Sequence, residues 1–323
     1  MVIMADEYGT EIRVLKHAGY DFEVGDSENS FEITFLRPEW EEIPARARIF
    51  IPGTEYGGIF KSLSTDTAQN TISAGGLTWR GMLQKKIIVP EEGEDYAVDY
   101  GELNAIVKAR VEAAFPGTMY GTSETTGVSV DWQYARYCTL YDGLRDMLAS
   151  VGYRLDLAYT NGLVFVQAVP IVNYSDTVDF SGDMRLNYTM QMETDGVNHL
   201  ICLGAGELKD RLVRHLYVNN RGKITTRQYY FGSNEIAEVY DNSGASESDL
   251  LRGGRQRLKE LRNKNQFGIK IDTDLDIAIG DIVGGRDYLS GMTMSAPVIG
   301  KVVQWSGGFQ TIDYKLDEAG ASE

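Results

Sequence analysis

Asp272, Asp274 and Asp276 alternate along the chain, an arrangement that can wrap a hard cation. A calcium loop beginning there needs glycine at its sixth position and glutamate at its twelfth, and those positions are Ile277 and Val283. A polar edge between strands accounts for the three carboxylates more simply. Gly204-Ala205-Gly206 follows the apolar run His199–Leu203, as a dinucleotide fingerprint would, but the third glycine position is Lys209 and no βαβ pattern follows. A strand-ending turn is the reading. The chain has no G-x-x-x-x-G-K-[ST] loop, no G-x-S-x-G elbow and no H-E-x-x-H helix. Cys138 with His199, or Cys202 with His215, are residue types that support nucleophilic catalysis, yet each sits in an apolar or strand-like context that predicts packing. A glycosidase needs only two carboxylates, and nothing selects a pair from 47 acidic residues. No catalytic, cofactor-binding or metal-ligating residue is assigned. The expectation is a scaffold or assembly protein with no cofactor, not an enzyme.

Composition limits what such a scaffold can hold. The 323 residues allow about two domains, or several small ones. Lys and Arg number 31 against 47 Asp and Glu, a net charge of −16 that repels nucleic acid and anionic bilayers over most of the surface. Two cysteines and three histidines, His17, His199 and His215, argue against a disulfide framework or a zinc cluster. The 35 glycines and 19 tyrosines predict many turns joining short aromatic-rich strands. Met1-Val2-Ile3-Met4 leads directly into Ala5-Asp6-Glu7 without the basic and apolar regions of an export signal. Asn173-Tyr174-Ser175 and Asn187-Tyr188-Thr189 match glycosylation sequons, which carry no meaning without export. The strongest apolar runs, Ile87–Val89 and Leu163–Val166, fall far short of a span, so a soluble chain with no membrane integration is expected.

The elements that must position any surface follow from periodicity. Phe31, Ile33 and Phe35 alternate with Glu32 and Thr34, and Arg46–Ile51, Ile59–Thr65 and Asn70–Ala74 read as further strands. Leu77, Trp79, Met82 and Leu83 predict a short helix. Glu91, Glu92, Glu94 and Asp95 read as a solvated loop. Helical spacing returns over Glu102–Phe115 and Thr139–Val151. Tyr153–Tyr159 and Leu163–Ala168 flank Asn161-Gly162, the preferred type I′ hairpin turn. Strands resume with Arg185–Glu193, His199–Leu203, and Arg211–Tyr217 facing Lys223–Tyr230. A helix capped by Ser246 or Ser248 runs to about Lys264, weakened by Gly253-Gly254. Phe267–Ile271, Ile277–Val283, Val298–Trp305 and Phe309–Leu316 complete the strands. The order predicts an α+β fold, mainly antiparallel β, rather than a doubly wound sheet. Residues 1–100 form one β module, 101–175 an α/β insertion, 176–218 with 266–323 a second β module, and 219–265 a second insertion.

Several stretches carry a resemblance to a known family. Leu203-Gly204-Ala205-Gly206-Glu207-Leu208 with Arg211, Tyr217 to Gly222, Tyr229 to Gly232 and the helix Leu250–Leu261 are similar to the tail-tip or baseplate hub proteins of siphophages. So are Ile279-Gly280-Asp281-Ile282-Val283-Gly284, the closing Val298–Tyr314 hairpin, and Ile72–Leu77 leading to Leu83–Ile87. The resemblance implies two small β-barrel-like modules per chain with α/β insertions, assembled as a homotrimer. Three chains then present six modules to the six-fold ring of the tail tube or distal tail protein. It implies further partners: the tape-measure protein, and tip fibre or receptor-binding subunits. It also implies a channel through which genome DNA passes without specific binding. The expected location is the virion tail tip after synthesis in the host cytoplasm. Because the chain stops at Glu323, any hydrolase or receptor-binding extension is expected on another subunit. Two alternatives are a carbohydrate- or receptor-binding tip protein, for which Trp79, Trp132 and Trp305 are the residues to inspect, and a peptidoglycan hydrolase with a perturbed acid.

Overall fold

Tyr20, Phe22 and Val24 point into a core while Asp21 and Glu23 point out, and the neighbouring strand repeats the pattern with Phe31, Ile33 and Phe35 inside and Glu32 outside. A period of two therefore fixes which face of the sheet is wet. In the computed structural model, the described residues are all of 1–323 except 17, 27, 41, 176–186, 192–195, 221, 263–265, 271–276, 287–292, 307 and 318–323. The expected carboxylate run Asp272–Asp276 and His17 lie outside the described residues.

The elements run in chain order as β1 (Val2–Ala5), β2 (Glu11–Leu15), β3 (Gly19–Gly25), β4 (Ser30–Leu36), β5 (Arg48–Phe50), β6 (Gly57–Asp66), β7 (Thr71–Thr78) and α1 (Trp79–Gln84). Then come β8 (Val98–Glu102), α2 (Leu103–Ala114), β9 (Met119–Gly121), β10 (Ser129–Gln133), α3 (Leu140–Ala149), β11 (Tyr153–Thr160) and β12 (Leu163–Pro170). They continue with β13 (Asn187–Gln191), β14 (His199–Leu203), β15 (Val213–Val218), β16 (Ile224–Thr225), β17 (Ala237–Asp241) and α4 (Glu247–Leu261). The last four strands are β18 (Gln266–Lys270), β19 (Ile282–Arg286), β20 (Thr293–Ser306) and β21 (Phe309–Leu316). Mainly antiparallel pairing with few helices is as expected; β9–β12 and β14–β17 are parallel.

The chain divides into two units: Met1–Asn187 with Ile269–Val283 and Pro297–Leu316, and Tyr188–Gly268 with Gly284–Ala296 and Asp317–Glu323. In the first unit, strands pair antiparallel in the order β21-β20-β3-β4-β7-β6-β5-β1-β2. β2 pairs with β1 alone, so among the described residues this run has a free edge and does not close into a barrel. The β20–β21 hairpin lies beside β3, whereas the sequence division sets residues 298–316 in a second module. Alternation marks a strand but carries no information about its partner, and β3 needs one on the side away from β4.

The residues expected as an insertion fold inside the first unit. α2 and α3 bury Leu103, Val107, Val111, Leu144 and Met147 against Leu155, Leu157, Val164 and Val166 of the β11–β12 hairpin. Thr139 caps α3 by accepting from the Asp142 amide at 3.0 Å. Asn161 and Gly162 take φ of 52° and 83°, as a type I′ turn requires. Phe50, Tyr159 and Trp79 stack, with ring centroids 3.9 and 5.3 Å apart, and join this core to the sheet.

In the second unit α4 covers one face of the sheet β16-β15-β14-β17. Ser246, one of the two serines offered by the sequence, caps it. Its glycines are packing residues rather than defects. A Cβ on Gly254 would sit 2.6 Å from Cys202 Sγ, and one on Gly253 would sit 2.5 Å from the Tyr240 hydroxyl. The expected partner strand Lys223–Tyr230 shortens to Ile224–Thr225. Ile277–Val283 is not one strand. Asp281, wholly buried in the first unit, accepts from the Ala278 and Val172 amides and from Arg154 Nε, each at 2.9 Å, and makes a turn there.

Candidate functional site

Three groups of polar side chains stand out. The first is buried in the first unit. Glu55, in the turn after β5, accepts from Arg80 Nε of α1 at 2.6 Å and lies 3.3 Å from Lys301 Nζ of β20. Arg80 also donates to the Leu155 carbonyl at 3.2 Å and to the Tyr141 hydroxyl at 3.4 Å. Arg145 of α3 continues the network to Asp26 at 3.1 Å. Burial pushes the Glu55 carboxyl up, but the facing charges of Arg80 and Lys301 outweigh it and hold the group down to about 2. A carboxylate pinned in this way is a lock between elements, and it has no proton to give at neutral pH.

Lys301 faces inward because of an irregularity. The β20–β21 register shifts between Val298 and Gly300, which adds one residue to β20 and inverts the alternation beyond it. Lys301 and Val303 then take the buried phase.

The second group lies in the second unit. His199 Nδ1 is 2.5 Å from Glu235 Oε1, and its Nε2 is 2.8 Å from His215 Nδ1. Tyr217 stacks on His199 at 4.4 Å. The chain carboxylate–imidazole–imidazole orients both rings, but no serine, threonine or cysteine is hydrogen-bonded to either among the described residues. His215 faces Ile201 across the ladder, whereas Cys202 points to the opposite face under α4, so the Cys202–His215 pairing is not made. Cys138 lies in the first unit and His199 in the second. Burial raises both thiols, the wrong direction for a nucleophile. No group of three or more His, Cys, Asp or Glu suited to a metal occurs among the described residues. Gly204 and Gly206 end β14 in a turn: Gly206 has φ of 101°, and a Cβ on Gly204 would meet Leu250 at 2.9 Å.

The third group is a groove of about 570 Å³ on the wet face of β3, β4, β7 and β6, lined by Asp21, Glu23, Glu32, Lys61 and Ser62. Gly75, which has no side chain, stands opposite Glu32 on its floor. The alternation Tyr-Asp-Phe-Glu-Val over residues 20–24 was a visible sign of this face. Glu55, Arg80, Lys301 and Glu235 gave no sequence signal, since their partners are remote in the chain. Of the three tryptophans singled out, Trp79 is fully buried, Trp132 packs on the core and Trp305 stacks on Tyr20. They form no aromatic rim. Among the described residues no helix is long and apolar enough to cross a membrane.

No protein-family model matches the sequence, and no curated protein matches it. Solved structures do. The chain is similar to the 43 kDa tail protein of prophage MuSo2 from Shewanella oneidensis, at 11% identity over 98% of each chain with a TM-score of 0.53. It also aligns with the tail protein from Neisseria meningitidis MC58, at 14% identity over 98% of this chain and 96% of that one, TM-score 0.49. A third match is a chain of the phage P2 baseplate in its activated conformation with Ca, at 10% identity over 99% and 98%, TM-score 0.45. The first of these carries the fold assignment: a mainly antiparallel chain with helical insertions superposes on a tail protein from end to end. The chain has the fold of a phage tail protein, as the resemblance to the hub family implies.

Proposed function

We propose that this chain is a structural, non-enzymatic hub of a phage tail tip or baseplate. It forms a homotrimeric ring in the virion that joins the six-fold tail-tube or distal tail ring to three-fold tip components. The observation that carries the reading is the end-to-end fold similarity to a tail protein, which covers 98% of both chains. The site chemistry is in keeping with it. The buried Glu55–Arg80–Lys301 group is a lock, the thiols are raised, and the polar groove is an open surface. The tape-measure protein and tip fibre or receptor-binding subunits are the further partners of the reading.

The acidic balance fits a conduit for genome DNA. Carboxylates facing a channel add no phosphate contacts, so DNA slides without being held. Native mass spectrometry of the purified chain tests the reading: three copies of 35.9 kDa give about 108 kDa. Electron microscopy of the chain mixed with its tail-tube protein should then show a ring capping the tube. A monomer that caps nothing overturns the proposal.

A further inference from the structure

The net charge of −16 is not shared evenly between the two units. The first holds 18 basic and 33 acidic residues, the second 13 and 14. Within the second, basic residues concentrate on α4 and its end: Arg252, Arg255, Arg257, Lys259 and Arg262. Arg252 pairs with Asp249, Arg257 with Glu238 and Glu260, and Arg262 donates to the Gly222 carbonyl. Arg255 and Lys259 are exposed and make no ion pair among the described residues. One helical turn apart, they project their charges from Cβ atoms about 5–6 Å apart.

The groove on the first unit carries the complementary defect. Asp21 of β3 stands directly opposite Glu32 of β4. Like charges facing each other across an antiparallel pair are destabilising, and their Cβ atoms lie about 4.5–5.5 Å apart. Asp21 accepts a hydrogen bond from Gln304 at 2.7 Å and Glu32 one from Thr34 at 3.3 Å, but neither has a cationic partner among the described residues. Gly75, opposite Glu32, carries no side chain, and Lys61 also lines the groove.

We propose that the Arg255–Lys259 turn of α4 in one copy seats on the Asp21–Glu32 pair of the next copy. The contact is a head-to-tail salt-bridge clasp between identical chains, and its naming of a second copy rests on the assembly reading above. Two cations at helical spacing meet two carboxylates at cross-strand spacing, which removes a repulsion that the isolated chain leaves standing. Head-to-tail contacts generate a ring when the rotation closes and a filament when it does not.

Sedimentation velocity of the full-length chain at several salt concentrations tests this, with three variants: R255E/K259E, D21K/E32K, and all four changes in one chain. The wild type is expected to assemble and to weaken as salt rises. Each double variant should weaken assembly at least tenfold, and the four-fold variant, with both signs exchanged, should recover it. Carbodiimide coupling should also join Lys259 to Glu32 between copies. Assembly indifferent to the double variants overturns the clasp and leaves the hub reading standing. A wild type that stays monomeric at every salt and concentration overturns both. A variant that loses only a different tail component assigns the groove to that partner and overturns the second copy as its occupant.

Discussion

Lys301 Nζ lies 3.3 Å from Glu55 Oε1, and the two side chains tie the last long hairpin of the chain to a turn within its first sixty residues. Arg80, on the same carboxylate at 2.6 Å, brings α1 to the same point. Three elements remote in sequence thus share one buried charge.

Replacing Glu55 by Gln keeps the shape and removes that charge. Arg80 and Lys301 are left buried and facing each other, a loss of about 3–5 kcal/mol by analogy with broken buried pairs. Urea denaturation is the measurement; an unchanged midpoint would show the network to be idle.

Acid should reproduce part of that loss in the wild type. The Glu55 carboxyl is held down to about 2, against 4.5 in its ordinary state, so the unfolded chain takes up the proton first. Its contribution is complete above about pH 4.5 and disappears as pH falls through 2. It is worth about 3 kcal/mol from the size of the shift. The stability gap between wild type and E55Q should narrow over that window and stay constant from pH 5 to 7.

Gly254→Ala runs against the usual rule for helices. An alanine ordinarily stabilises a helix interior by about 1 kcal/mol. Here its Cβ would lie 2.6 Å from Cys202 Sγ and 3.1 Å from Leu216 Cδ1, so a loss of about 1–3 kcal/mol is expected instead. Adding C202A removes the nearest atom and should return a good part of the loss; a double-mutant cycle showing no coupling would contradict the contact.

The chain should not hold DNA. With a net charge of −16, a short labelled duplex is expected to show no anisotropy change at about 150 mM salt, where proteins making several phosphate contacts still bind. A saturating rise would argue against a channel that lets the genome pass.

Local pattern made α2, α3, α4 and the Asn161-Gly162 hairpin readable, because each is set by residues within one or two turns of each other. What joins to what was not readable in the same way. Val298–Trp305 reads as a strand, yet nothing in it names β3 as the neighbour. The polar groups suffered most. Glu55 sits in an irregular turn, Arg80 lies in the first turn of a short helix, and Glu235 follows a 3₁₀ turn, so no periodicity marks them. Cys202 was rightly read as packed, while Gly253-Gly254 was read as a weakness when it is the place where the helix comes closest to the sheet.

The inserted residue between Val298 and Gly300 has a reach beyond its own strand. In a ladder without it, Val302 would fall inside and Lys301 would meet water, and Glu55 would be left to Arg80 alone. Acid tolerance of the folded chain is therefore governed by a count, one amino acid more or fewer, as much as by any titrating side chain. A close relative that has lost that residue, with Glu55 held by Arg80 alone, should lose less stability as the pH falls from 5 to 2.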